Sequence, residues 1–310
     1  MTAHAIETEA LEKTYGLGRK KVRAVDGLSL HVPEGSIYGL LGRNSAGKTT
    51  TIRMAVGLAR PTAGTIRVFG LDPARDPERV MVLSQVGYVP EDKAQAALTA
   101  RALLQLNREF YRDTWSDDLA RKAIRRLELP LDTTFLKLSL GNKTKSALVS
   151  AIAQRSRLLI LDEPTTGLDP IALDELLRLL VEDCTLEGRT IFLSSHQLTE
   201  IERIADYVGI MDRGRILLEG RLDDIRASFR RMTVTGEALP AGDVRVLTSR
   251  RVGHATEMVV QREPEEFAAE LGRGGATVVA STPLSLNEIF IELCRNAEAK
   301  DDRIRPADFV

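Results

Sequence analysis

One octapeptide, Gly42-Arg-Asn-Ser-Ala-Gly-Lys48-Thr49, limits what this chain can fold into. Its two glycines and the Lys-Thr pair have the spacing of a loop that cradles phosphates. The apolar run Ser36–Leu41 before it reads as a strand, and Thr49–Leu58 after it reads as a helix. In that context successive backbone N–H groups ring a phosphate, and the helix N-terminus adds its positive end. Gly42, Asn44, Ser45, Ala46, Gly47 and Thr50 then form the cradle, Lys48 reaches the β- and γ-phosphates, and the Thr49 hydroxyl ligates magnesium. Outside that context the same residues would be only a glycine-rich turn.

The flanking sequence repeats the strand-then-helix pattern. Thr65–Phe69 alternates as a short strand after Pro61 and Gly64. Leu158–Leu161 is a second β-like run and Thr190–Leu193 a third. Between those two, Leu173, Leu176, Leu177 and Leu180 recur at helical spacing, and Gly188 is placed to stop the helix. Such alternation predicts a mostly parallel sheet covered on both faces. Thr99–Val149 reads as helix-rich, with Ser116 capping a helix through Asp117 and Asp118 and burying Leu119, Ala123, Ile124 and Leu127.

Past the hairpin-like Met211–Arg215 the pattern changes near Phe229. The remainder carries short alternating runs (232–235, 244–247, 258–261 and 277–280). It also carries a helix opened by the capping box Ser285-x-x-Glu288 and buried through Leu286, Ile289, Phe290 and Leu293. This predicts a small α+β domain over 230–310, appended to a core over 1–229 whose helical subdomain spans about 99–149. A polar, frayed tail is expected after Ala299.

Asp162 ends an apolar strand, where P-loop enzymes place a magnesium-holding carboxylate. Its neighbour Glu163 is placed to orient or deprotonate an attacking water. Phosphoryl transfer needs both a metal clamp and a water-positioning group, so the pair fits the loop.

Composition excludes several classes. Hydrophobic residues make up 43% and charged residues 28%, with a net charge of −1. That leaves no bulk positive field to draw the chain to nucleic acid, and the cluster Arg19, Lys20, Lys21 and Arg23 reads as a solvated turn. The two cysteines, Cys184 and Cys294, match no metal or redox spacing and read as small core residues. Met1–Ala10 lacks the apolar stretch of a signal peptide, and no apolar segment approaches the ~18 residues of a membrane span.

Taken together, the motifs resemble the ATP-binding subunits of ABC transporters. Leu158–Asp162, Glu163 and Pro164–Pro170 look like that family's Walker B strand, catalytic glutamate and D-loop, the last including Asp169. Leu138-Ser139-Leu-Gly141-Asn-Lys143 stands in the place of the signature motif, and His196 after Leu193–Ser195 is similar to the switch histidine. Tyr15 matches the aromatic that stacks on adenine, and Val86–Glu91 matches the Q-loop. The resemblance covers Ile6 to about Phe229. It implies an α/β fold, a P-loop NTPase core of the ABC type with a helical subdomain and the small C-terminal α+β appendage. It also implies ATP and Mg2+, with the metal held by Thr49, Asp162 and Glu91 and turnover carried by Glu163, His196 and Lys48. A head-to-tail dimer is implied as well, in which Ser139 and the Gly141 backbone face the γ-phosphate bound by the other subunit.

Three departures stand out: Ser45 for a glycine in the loop, Glu91 for the usual glutamine, and Leu140 and Asn142 in a loosened signature. The style of the Q-loop, signature and Phe110-Tyr111…Trp115 segment resembles the branch that powers drug, antibiotic and lantibiotic exporters. On that reading a separate transmembrane permease and a second ATP-binding subunit are the partners, at the cytoplasmic face of the cell membrane, with no nucleic acid. Two alternatives remain open on sequence: a soluble ATPase of the same superfamily acting on ribosomes or DNA, and a nucleotide-binding regulator without turnover.

Overall fold

The computed structural model describes residues 3–16, 18–93, 97–236, 245–261 and 264–302. The chain divides into two compact units, Met1–Glu219 and Gly220–Val310.

In the first unit, β1 (His4–Tyr15) pairs antiparallel with β2 (Val22–Pro33). The turn between them leaves Lys20, Lys21 and Arg23 exposed, while the Arg19 side chain lies outside the described residues. β3 (Ile37–Gly42) is wholly buried and runs into the loop that opens α1 (Lys48–Ala55). β4 (Ala63–Val68) returns to the other edge of β1, completing a three-stranded antiparallel sheet. The sequence reading of a parallel sheet did not foresee this layer. α2 (Glu78–Leu83) and β5 (Val86–Val89) follow.

The helical stretch holds α3 (Ala100–Phe110), α4 (Asp117–Arg126) and α5 (Leu140–Ala153). Each begins where a hydroxyl accepts from an orphan amide: Thr99 from Ala102 N, Ser116 from Leu119 N and Ser139 from Asn142 N, each at 3.2 Å. α4 has acids in its first turn and arginines in its last, matching the helix dipole. Of its expected buried positions, Ala123 and Leu127 are buried, and Leu119 and Ile124 are half-buried.

β6 (Leu158–Asp162), α6 (Pro170–Glu187), β7 (Thr190–Ser195), α7 (Leu198–Ile201), β8 (Tyr207–Asp212) and β9 (Arg215–Arg221) complete the element series from the core. The main sheet runs β5-β6-β7-β3-β8-β9, and its first five strands are parallel. Strands buried on both faces read as continuous apolar runs, which is why Leu158–Leu161 and Thr190–Leu193 were conspicuous in sequence. Because they are parallel, the carboxyl ends of β5, β6, β7 and β3 lie along one edge, where ligands of such sheets bind.

The second unit holds α8 (Leu222–Ser228), β10 (Phe229–Thr235), β11 (Val246–Val252), β12 (Ala255–Gln261), α9 (Pro264–Arg273), β13 (Thr277–Pro283) and α10 (Leu286–Asp302). Its strands form one antiparallel sheet in the order β11-β12-β10-β13. Met232, Val234, Met258 and Val260 pack with Phe267 and Leu271 of α9 as its core. The change of pattern at Phe229 is the start of β10, while the division between units lies upstream at Glu219/Gly220. The capping box forms reciprocally: Ser285 N donates to Glu288 Oε2 at 2.9 Å, and Glu288 N donates to Ser285 Oγ at 3.3 Å. Val244, the Cys184 side chain and residues 303–310 lie outside the described residues; Cys294 is buried in α10. No helix among the described residues is long and apolar enough to cross a membrane.

Candidate active site

The loop from β3 to α1 owes its shape to two left-handed residues, Ser45 (φ 66°) and Gly47 (φ 108°). A Cβ on Gly47 would lie 2.4 Å from Ala24 O, so only glycine fits there. Ser45 holds its left-handed φ with a side chain in place, which explains why a glycine also suits this position. The turn between β8 and β9 braces the loop from below: Gly214 N donates to Ala46 O and Asp26 N to Gly214 O, each at 2.9 Å.

The Lys48 ammonium is buried and fully engaged. It donates to Gly42 O at 2.7 Å and Arg43 O at 3.3 Å, and lies 3.2 Å from Glu163 Oε1. Glu163 follows β6 with φ 48°, an uncommon conformation for a residue with a side chain. Its amide donates to Ser194 Oγ at 3.0 Å, and its Oε2 lies 2.8 Å from His196 Nδ1. β6 and β7 are in register at Asp162 and Ser194, so one serine serves both acids. Ser194 Oγ donates to Asp162 Oδ1 at 2.7 Å. Sequence reasoning missed Ser194; its signal was a buried serine ending an apolar run directly beside the acidic pair.

Asp162 is fully buried, and its Oδ2 has no hydrogen-bond partner. Burial pushes its carboxyl above the ordinary range, and the charges of Glu91 and Glu163 add to the rise. Hydrogen bonds from Ser194 and Thr49 oppose it. Thr49 Oγ1 lies 3.2 Å from Asp162 Oδ1 and 3.4 Å from Glu91 Oε2. Two carboxylates and a hydroxyl thus converge, with one buried oxygen unsatisfied. No group of three or more His, Cys, Asp or Glu among the described residues could hold a metal by itself. The set instead suits Mg2+, a hard cation that takes one or two carboxylates and completes its shell with phosphate oxygens and water. Lys93, also missed from sequence, is half-buried beyond Glu91 and donates to Pro90 O. Burial lowers its pKa to about 8, against the pull of Asp162, Glu91 and Asp92.

A cleft of about 580 Å³ runs over this set. Tyr15 and Val22 stand at one end, the whole stretch Arg43–Thr50 lines it, and Glu91 and Glu163 close it. The Tyr15 ring is 41% exposed, with the Lys13 ammonium 5.0 Å from its centroid. His196 reaches the cleft only through Glu163. Ser139, Gly141 and Asp169 do not line it. They form a second cluster: a Cβ on Gly141 would lie 2.2 Å from Gly167 O, and Asp169 Oδ1 caps α6 by accepting from Ile171 N and Ala172 N, each at 3.0 Å. Those amides, Ala172 first, hold the Asp169 carboxyl below its usual range. Leu140 and Ser139 at the start of α5 are exposed.

The family profile described as "ABC transporter" matches residues 25–166. The chain is 40% identical over 234 residues to the bacitracin transport ATP-binding protein BcrA of Enterococcus faecalis, covering 74% of this chain and 73% of that protein. The chain belongs to the ATP-binding subunits of ABC transporters. A second relative of this ABC ATPase is the daunorubicin/doxorubicin resistance ATP-binding protein DrrA of Streptomyces peucetius, 36% identical over 73% of this chain and 68% of that one. The Nod factor export ATP-binding protein I of Rhizobium meliloti is 33% identical over 96% of this chain and 90% of its own length. A solved structure described as an ATP binding subunit of an ABC transporter superposes with a TM-score of 0.63 and 32% identity, covering 72% of this chain and 92% of its own. The ABC ATPase fold expected from sequence is thereby shown, and so is the ATPase reading. The relatives favour a transporter subunit over a ribosome- or DNA-directed ATPase.

Proposed function

We propose that this subunit hydrolyses ATP with Mg2+ to power export through a separate membrane-spanning permease, at the cytoplasmic face of the membrane. The observation that carries the site is the relay from Lys48 through Glu163 to His196, set against the unsatisfied oxygen of Asp162 buried behind Thr49. Lys48 would give up its carbonyl partners for the β- and γ-phosphates, and Tyr15 would stack on the base. Thr49, Asp162 and Glu91 would hold Mg2+, which supplies charge neutralisation on the phosphates when bound. Glu163, released from Lys48 and oriented by His196, would take the proton of a water as its oxygen bonds the γ-phosphorus and the bond to ADP breaks. Low exposure of Glu163 keeps that carboxylate from competing solvent.

The absence of Ser139, Gly141 and Asp169 from the cleft supports a head-to-tail pair. Ser139 sits at the exposed start of α5, where its hydroxyl and the first backbone amides of the helix are able to offer donors to a nucleotide held by another subunit, with Asp169 beside them at the start of α6. The export direction rests on what the relatives are named for: bacitracin transport, daunorubicin and doxorubicin resistance, and Nod factor export. Co-purification from membranes with a permease encoded nearby, followed by an ATPase assay with candidate export substrates, tests it. Substrate-stimulated hydrolysis in that complex is expected. Hydrolysis stimulated by ribosomes or DNA instead would overturn the transport reading.

A further inference from the structure

The appended sheet has two unlike faces. Met232, Val234, Met258 and Val260 alternate toward α9 and build an apolar core. The cross-strand register places Arg231 opposite Val259, Thr248 opposite Val259 and Arg250 opposite Glu257, so Arg231, Thr248, Arg250 and Glu257 share the other face. That face carries charge where a small domain would ordinarily bury apolar area. Helix α10 presents Glu288, Glu292 and Arg295, one helical stripe, to the same face. Arg231 Nη1 donates to Glu288 Oε1 at 2.9 Å and Thr248 Oγ1 to Glu292 Oε2 at 2.9 Å. Between helix and sheet lies a polar cleft of about 510 Å³, within the size range of small-molecule sites.

The cleft lining sets three guanidiniums, Arg231, Arg250 and Arg295, against two carboxylates, Glu257 and Glu292. Glu292 is buried, with one oxygen taken by Thr248 and the other 3.4 Å from Arg295 Nη1. Arg231 is held by Glu288. Arg250 has no ion-pair partner among the described residues, and Arg295 meets Glu292 at 3.4 Å. A guanidinium offers five N–H donors in a planar fork that fits a carboxylate or phosphate. A structural role alone would not require an unpaired arginine in a lined cleft.

We propose that the accessory unit binds a small organic anion, a carboxylate or phosphate ester, between Arg250 and Arg295, with Glu292 fixing the floor. The site is separate from the ATPase residues and stands whether or not the export reading does. The test is calorimetric titration of the full chain with citrate and, separately, glucose 6-phosphate, the P-loop being kept occupied by Mg-ADP. Saturable millimolar binding of at least one probe is expected, and the two probes distinguish carboxylate from phosphate recognition. Arg250→Ala should weaken it about tenfold or more, the scale of a lost charge-assisted bond, and Arg250→Glu should abolish it. ADP affinity and the thermal unfolding midpoint should stay unchanged in both, because Arg250 is exposed. Failure of both probes to bind at millimolar concentration, or equal binding by the parent and both variants, overturns the proposal.

Discussion

Lys48 and Glu163 satisfy each other: the ammonium and the carboxylate, both buried, lie 3.2 Å apart. A buried charge left without its partner is costly, about 3–5 kcal/mol when one member of such a pair is removed. Lys48→Ala should therefore weaken ATP binding sharply and also destabilise the nucleotide-free protein. Adding Glu163→Gln to it should restore much of that stability without restoring ATP binding. Denaturant unfolding of the two single variants and the double variant checks this; additive losses would mean the two charges are not coupled.

Glu163→Gln alone keeps the shape of the side chain and its place beside His196 but removes the carboxylate proposed as the base. Nucleotide binding should persist while hydrolysis slows by about 10²-fold or more. An ATP-bound pair should then accumulate and elute earlier on size exclusion with Mg-ATP. Near-normal turnover would assign the water to another group.

The placement of the motifs was legible in sequence because such motifs follow continuous apolar runs: Gly42–Thr49, Asp162-Glu163 and His196 each sit at the end of a buried parallel strand. Of the three-stranded layer only β4 was legible, as the alternating run Thr65–Phe69. β1 pairs with β2 through several register shifts, including one between Thr8 and Leu11, and Ala10 adopts φ 42°. Such bulges break the period-two alternation by which a strand is recognised. Ser194 was hidden for a different reason. A serine is neutral in a pattern search, and its role follows from β6–β7 register, a non-local fact. Lys93 likewise acquires meaning only when folding brings it near Asp162.

Ser194 holds Asp162 by its hydroxyl hydrogen and Glu163 by its lone pair. Ser194→Ala leaves the buried Glu163 amide without a partner, at a cost of about 1–3 kcal/mol, and leaves Asp162 Oδ1 with Thr49 alone. Stability should fall, and the Mg2+ concentration needed for half-maximal ATPase activity should rise as Asp162 loses its anchor. Ser194→Thr, which retains the hydroxyl, should recover the metal dependence better than the stability. An unchanged metal titration in Ser194→Ala would separate Ser194 from the metal site.

Gly141 is required by contact: any side chain there meets the Gly167 carbonyl, and the start of α5 must lift away from the D-loop. Backbone does not yield as a flexible side chain does. Gly141→Ala should leave ATP binding to the isolated subunit near the parent value, because Gly141 does not line the cleft. Hydrolysis that depends on pairing should fall instead. Loss of monomer ATP binding would show that the α5 start supports the P-loop within one chain.

Glu91 tests the electrostatics of the site. Its Oε2 approaches Thr49 Oγ1 at 3.4 Å, and Thr49 in turn meets Asp162 at 3.2 Å, so the carboxylate faces the residues proposed to hold Mg2+. Like charges ~4 Å apart cost about 4 kcal/mol at an effective dielectric near 20. Lys93 offsets part of that repulsion from beyond the loop, and bound Mg2+ would offset more. Glu91→Gln removes one negative charge beside the phosphates and one hard oxygen from the metal. ATP affinity without metal should therefore improve, while the gain in affinity on adding Mg2+ should shrink. Fluorescent-nucleotide binding across a magnesium series, parent against variant, reads both arms at once. Superimposable curves would mean that Glu91 feels neither metal nor phosphate, and its charge would then serve the surface that meets the permease.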